Sequence, residues 1–216
     1  MNWIERLERK FRRYAIPHLM YYIVGGMLLL FLLGIVLPGF SWYWFSLDME
    51  LVLRGQIWRL VTFIFLPPGT SLIWTIFSIY FYYFIGSSLE AQWGAFRFNL
   101  FYLIGCLGTI LGAIFTGYAV NTYLNFSLFL AFAMLAPNYQ VILFFFLPIK
   151  IKYLAILDAI WFVFAFITGG WSTRIAIIVS LLNVILFFGG TFLKNYRYQQ
   201  QFRETRKNFR KYYRNK

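Results

Sequence analysis

The sequence predicts an all-α, multi-pass membrane protein of six spanning helices, with an interfacial loop between the first two. Two observations carry that expectation. Of 216 residues, 61% are apolar and only 12% charged, with a mean hydropathy of +0.67, whereas a soluble domain carries about 25% charged residues. The charge is also one-sided, 20 Lys and Arg against 7 Asp and Glu, and it falls in alternate connecting segments. This composition excludes a soluble enzyme, a disordered tail and a secreted disulfide framework. The single Cys106 leaves no disulfide and no cysteine-based metal cluster.

A spanning helix needs about 20 apolar residues. The first candidate is Leu19 to Pro38 and the second runs from Ser71 to near Leu89. The third is Phe98 to Tyr118, interrupted only by glycines and Cys106. The fourth, Tyr123 to Ala136, is shorter and is preceded by the polar Asn121 and Thr122, with Asn125 in its first turn. The fifth is Tyr153 to Thr168, carrying Asp158, and the sixth is Ile175 to Leu193. Leu51 to Pro68 is apolar too, but Arg54, Gln56 and Arg59 interrupt it and Pro67-Pro68 ends it. It reads as a partly buried loop or interfacial helix. The first span is expected to be a retained helix, since its apolar run exceeds the 7–15 residues of a signal-peptide core.

The basic residues test the count. Arg6, Arg9, Lys10, Arg12 and Arg13 precede span 1, Arg97 follows span 2, Lys150 and Lys152 follow span 4, and nine more lie from Lys194 onward. The opposite loops hold only Arg54, Arg59 and Arg174. By the positive-inside rule both termini face the cytoplasm, so the number of spans is even. The expected organisation is an amphipathic segment 1–18, a membrane domain 19–193 and a basic tail 194–216.

Both ends read as membrane-surface elements. Trp3, Ile4, Leu7, Phe11 and Tyr14 recur at helical spacing among basic residues, and Tyr198, Phe202, Phe209 and Tyr213 form a similar stripe in the tail. They suit a bilayer with anionic headgroups. A nucleic-acid partner is not expected, because the same charges already serve orientation.

Within the membrane region, Arg54-Gly55-Gln56-Ile57-Trp58-Arg59-Leu60-Val61-Thr62-Phe63 precedes span 2. Span 2 ends with Gly86, Leu89-Glu90 and Trp93-Gly94, then Arg97-Phe98. This pair of motifs resembles the rhomboid superfamily, in which Gln-x-Trp-Arg precedes the second helix and Gly-x-x-x-Glu-x-x-Trp-Gly ends it. Phe126 to Asn138 is similar to the second half of the rhomboid fourth helix, and Ile149-Lys150-Ile151-Lys152-Tyr153 leads into helix 5 as in that family. The resemblance covers residues 20–193 and implies a six-helix rhomboid-like bundle. In that family Gln56, Trp58, Arg59, Gly86, Glu90, Trp93 and Gly94 belong to the structural signature.

Physical chemistry favours structural roles for these residues as well. An unpartnered ionic group in lipid costs several kcal/mol, so Arg59 is expected to pair with loop carbonyls or polar helix ends, and Glu90 has Arg97 as its nearest basic residue in sequence. Gly105, Gly108, Gly112 and Gly117 form a small-residue stripe that permits close helix packing, within the bundle or between chains.

Active rhomboids resemble a serine protease built in the membrane, with a Gly-x-Ser-Gly turn starting helix 4 and a His near the start of helix 6. The resemblance places the nucleophile position near Thr122, in Val120-Asn121-Thr122-Tyr123-Leu124, with neither serine nor glycines. Ser127 falls deeper, in the packing part of the helix. Helix 6 has no His. The chain's only His, His18, precedes span 1, about 30 Å of bilayer from Thr122, and a general base must come within about 3 Å. Asp158 is an intramembrane acid, a functional candidate by default, expected to pair with Lys150, Lys152 or Lys194.

These readings imply a pseudoprotease with no cofactor or metal. Derlins, a pseudoprotease branch, are similar at Gln56-Ile57-Trp58-Arg59, Leu89-Glu90 and Phe145-Phe146 to Tyr153, but the Gly-His pair of their helix 6 is absent here. A rhomboid-like pseudoprotease of a bacterial plasma membrane fits better. Its expected partners are transmembrane client segments, with Asn121, Thr122 and Asn125 as candidate client-binding residues. The competing readings are a rhomboid-type protease with an unrecognised active site and a small transporter using Asp158.

Overall fold

The structure is a computed structural model and describes residues 3–69, 71–143 and 147–188. The tail 194–216 with its aromatic stripe, the end of the sixth predicted span, Phe145-Phe146 and Lys194 lie outside the described residues. Nine α-helices lie among the described residues: α1 Trp3–Phe11, α2 Leu19–Val36, α3 Met49–Leu53, α4 Arg59–Thr62, α5 Leu72–Trp93, α6 Ala95–Thr116, α7 Thr122–Leu135, α8 Ile151–Thr168 and α9 Trp171–Phe188.

Five of them, α2, α5, α6, α8 and α9, are long and apolar enough to cross a bilayer. The chain is a multi-pass membrane protein, and its described residues are mostly helical. The fourth predicted span differs from the other five. α7 has 14 residues, about 21 Å at helical rise against a core of about 30 Å. It ends at Leu135 because Pro137 disfavours a helical residue before it and has no N–H to donate. Short length is tolerable because α7 is central. Eight of its residues are buried, so its neighbours, more than lipid, surround its body.

The packing follows small residues. A Cβ on Gly86 of α5 would run into the Met20 side chain of α2, and one on Gly108 of α6 would come within 2.6 Å of Val179 on α9. A Cβ on Gly105 would meet Leu124 of α7 and Asn183 of α9. The glycine stripe of α6 is therefore spent inside the chain, against α7 and α9. Gly117 does not belong to it; at φ 81° it closes the C-terminus of α6. α8 is the most peripheral long helix, burying only Ile151 and Phe162. Phe162 packs edge-on against Phe126 of α7, ring centres 5.3 Å apart.

The segment between α2 and α5 is an ordered loop at one end of the bundle, as the interrupting polar residues imply. It contains a 3-10 turn Trp42–Phe45, α3, α4 and a second 3-10 turn Phe63–Phe65. Two short strand pairs, not expected from the sequence, add to the helices. β1 Leu47–Asp48 pairs antiparallel with β2 Tyr118–Ala119, fastening the loop to the α6–α7 connection. β3 Gln140–Leu143 pairs antiparallel with β4 Leu147–Lys150 ahead of α8.

The opposite end carries the N-terminal segment. Glu8 of α1 forms an ion pair with Arg97 at 2.9 Å, and Asn99 Nδ2 donates to the Ile16 carbonyl. Arg97 therefore serves α1, not Glu90. Glu90 accepts the His18 backbone N–H at 2.6 Å, which ties the start of α2 to the end of α5. Gly94 separates α5 from α6 at φ 82°, a left-handed value that favours a residue without Cβ.

Candidate functional site

The loop is held by a buried cation. Arg59 is 1% exposed, and a guanidinium in such a place must have its donors satisfied. Nη1 donates to the carbonyls of Tyr43 and Ser46 at 2.6 and 2.8 Å, and Nε donates to Gln56 Oε1 at 2.7 Å. Its Cζ lies 5.1 Å from the Tyr43 ring centre. Loop carbonyls, not helix ends, are thus the partners of Arg59, and Gln56 is the side chain that completes the set. Trp58 next to it is half exposed.

Nearby, the Tyr43 hydroxyl donates to Asp48, which also caps α3 by accepting from the Glu50 and Leu51 N–H groups. The Tyr43 hydrogen bond, with those backbone N–H groups and the Arg59 charge, holds the Asp48 carboxyl below its usual range. The same bond pushes the Tyr43 hydroxyl up.

The three residues at the start of α7 do not form one surface. Asn121 is buried, and its Nδ2 donates to the carbonyls of Ile64 and Leu66, each at 2.9 Å. Asn125 is fully buried, its amide without a partner among the described residues. Only Thr122 is exposed. Thr122 and Asn121 border a cleft of about 520 Å³ beneath the loop. Pro67 and Pro68 wall it on one side, Ser78 and Tyr82 of α5 on another, and Phe126 of α7 on a third.

His18 stands at the other end of the molecule, exposed, in left-handed conformation before α2. The 18 residues of α2 alone set about 27 Å between it and the loop. Asp158 is half-buried in α8 and has no ion pair with Lys150 or Lys152. Lys152 lies instead over the Tyr153 ring, 5.1 Å from its centre. The expected pairing with those two lysines is corrected on this point: they sit in the first turn or before it, and Asp158 is two turns further along the helix.

Trp93 serves packing. Trp93 meets Phe101 and Phe188 at ring-centre distances of 5.4 and 5.5 Å. Ser127, Ser180 and Asn183 escaped the reading of the sequence as a site. Ser127 Oγ donates to the Leu124 carbonyl at 2.7 Å and accepts from Asn183 Nδ2 at 3.4 Å. A serine and an asparagine 56 residues apart carry no local signal of that contact; polar residues at one level of two predicted helices were the only hint. Among the described residues, no three or more metal-ligating side chains converge. No family model matches the chain, and no curated protein matches it.

Proposed function

We propose that this protein is a catalytically inactive, rhomboid-like membrane protein that holds transmembrane segments of client proteins. The single observation that supports it most is the cleft of about 520 Å³ under the loop, bordered by the exposed Thr122. A client helix that loosens at its end would find there the hydroxyls of Thr122, Ser78 and Tyr82, each hydrogen bond contributing about 0.6 kcal/mol. Asn121 supports the cleft by fixing its roof, and Thr122, not Asn121 or Asn125, is the residue open to a client.

The reading of no proteolysis rests on chemistry: a hydroxyl nucleophile needs a base within hydrogen-bond reach, and His18 is a bilayer away from Thr122. The excess of basic residues at the N-terminal end and in the tail favours both termini in the cytoplasm and the cleft facing outward from a bacterial plasma membrane. Basic residues on α1 favour contact with anionic headgroups.

The test is a photo-crosslinking residue placed at Thr122, with Leu111 on the outer face of α6 as comparison. A transmembrane peptide with a Gly-Pro break near its outer end is expected to crosslink at Thr122 and not at Leu111. Equal yields at the two positions would overturn the client reading. A fluorogenic transmembrane substrate is expected to stay uncut, and cleavage abolished by Thr122→Ala would establish the protease instead.

A further inference from the structure

An acid stands at mid-depth on the inner side of α8. Ile151, Ala155, Asp158, Phe162 and Ala165 follow one another four and three residues apart and are buried or half-buried. Leu157, Ile160, Trp161 and Phe164, on the other faces, are exposed. Residues three and four apart share one face of a helix. Asp158 therefore belongs to the row turned towards the bundle and not to the lipid side.

Aromatic contacts set its level. Phe129 and Phe132 of α7 pack on Phe81 and Phe84 of α5, with ring centres 5.9 and 5.7 Å apart. Tyr123 and Phe126 of α7 pack on Phe162 of α8 at 6.2 and 5.3 Å. α5 and α8 thus lie against neighbouring faces of α7, and they pack little on each other. α8 runs antiparallel to α7, because its first N–H groups, from Ile151 and Lys152, donate to the Tyr139 and Pro137 carbonyls just beyond the end of α7. Asp158 is one turn from Phe162 towards that end, about 6 Å. This brings it level with Phe129, and hence with Tyr82, the neighbour of Phe81. The two are near enough for the Asp158 charge to act on Tyr82, and Tyr82 lines the inner part of the cleft under the loop.

The carboxylate has no partner of its own. Among the described residues Asp158 forms no ion pair and no hydrogen bond. It lies ten residues from the loop end of α8 at Thr168, about 15 Å, which is half of a bilayer core of about 30 Å. Ionisable side chains at such a depth are costly alone and take partners of opposite charge.

We propose, on the footing of the client reading, that Asp158 and Tyr82 together receive a basic side chain, Lys or Arg, from the transmembrane segment of the client. Asp158 supplies the opposite charge, and Tyr82 offers a hydroxyl acceptor and the face of its ring. A client helix whose end rests in the cleft runs down the seam between α5 and α8. A residue about ten positions from that end, 15 Å along the helix, comes level with Asp158. A cation there and the carboxylate neutralise each other, whereas each alone is unfavourable in lipid. An apolar residue at the same place gains nothing.

Two transmembrane peptides test the pairing, reconstituted in liposomes with the full-length chain carrying the crosslinker at Thr122. Both are leucine-rich with a Gly-Pro break at the loop end, and they differ only in having Lys or Leu ten residues below that end. The Lys peptide is expected to crosslink about tenfold more than the Leu peptide. Asp158→Asn should reduce the Lys peptide to the level of the Leu peptide and leave the Leu peptide unchanged, which serves as the control for an intact fold. Asp158→Glu, which keeps the charge, should keep most of the excess. If the Leu peptide crosslinks and the Lys peptide shows no excess, or if Asp158→Asn retains the excess, the site is wrong and the client reading stands. Loss of the excess in Asp158→Glu as fully as in Asp158→Asn would overturn pairing by charge. If neither peptide crosslinks at Thr122 above the Leu111 comparison, the client reading fails and the site with it.

Discussion

Asn121 donates its side-chain amide to the Leu66 carbonyl at 2.9 Å, across 55 residues of sequence. With the second bond, to Ile64, this single side chain joins the start of α7 to the loop that roofs the cleft. A polar residue at the head of an apolar helix is therefore a brace.

Removing that brace has a definite consequence. Asn121→Ala leaves two loop carbonyls without their donor and should destabilise the protein by about 1–3 kcal/mol. Thr122→Ala, at the exposed neighbour, should stay within about 0.5 kcal/mol. Thermal unfolding in a mild detergent separates the two. Equal melting temperatures would mean that the loop is held by other contacts.

Arg59 is the second brace. Arg59→Lys keeps the charge but cannot reproduce the forked donation to Tyr43, Ser46 and Gln56, because an ammonium presents its donors from one point. A loss of about 3 kcal/mol is expected, since hydrogen bonds to charged groups contribute about 1.5–3 kcal/mol each. Limited proteolysis should then cut within residues 40–60, where the wild-type protein resists. An intact loop in Arg59→Lys would show that the guanidinium geometry is not what orders it.

Acid should loosen the same loop. The Asp48 carboxyl is held below its ordinary range, first by the Tyr43 hydroxyl. A folded-state value below the unfolded one contributes stability that is complete above the unfolded value, about 3.9. That stability is lost as pH falls through the lower folded value. Melting temperature measured from pH 6 down to pH 2 should therefore drop less steeply in Asp48→Asn than in the wild type. Tyr43→Phe should show a shallower drop too. Parallel curves for all three would refute the linkage.

Close helix packing gives a prediction with a built-in contrast. At Gly108 a Cβ lies 2.6 Å from Val179, whereas at Gly25 nothing stands within 4 Å. Gly108→Val should cost about 1–3 kcal/mol by overpacking. Gly25→Ala should be neutral or stabilising by up to about 1 kcal/mol, through helix propensity. Melting in detergent and the elution profile of each variant check the pair. A neutral Gly108→Val would mean that α6 and α9 are not in contact at that level.

Much of the architecture lay in the chain itself. Five spans, the polar-interrupted loop after the first of them and the amphipathic α1 followed from apolar run length and spacing, which are properties of neighbouring residues. Arg59 stands out in the sequence by its motif and by its charge, because a cation in an apolar setting must find acceptors. Which acceptors it found was decided by the 3-10 turn at Trp42–Phe45 folding over it.

Other features needed the assembled bundle. The α6 glycines allowed packing within a chain or between chains, and only the position of Val179 and Asn183 on α9 resolved it. Asp158 had lysines near in sequence, yet helical geometry holds Lys150 and Lys152 too far back to pair with it. Asn121, Thr122 and Asn125 looked like one polar patch; helix rotation sent one to the loop, one to the surface and one to the core. Ser127 and Asn183 meet across 56 residues, and neither has a neighbour that marks it. Apolar content, charge and helical period are local sums, so the sequence by itself determined where the five long apolar helices lie. Which polar side chains share a cavity depends on how helices distant in sequence are ordered and turned, and only the tertiary packing decided that.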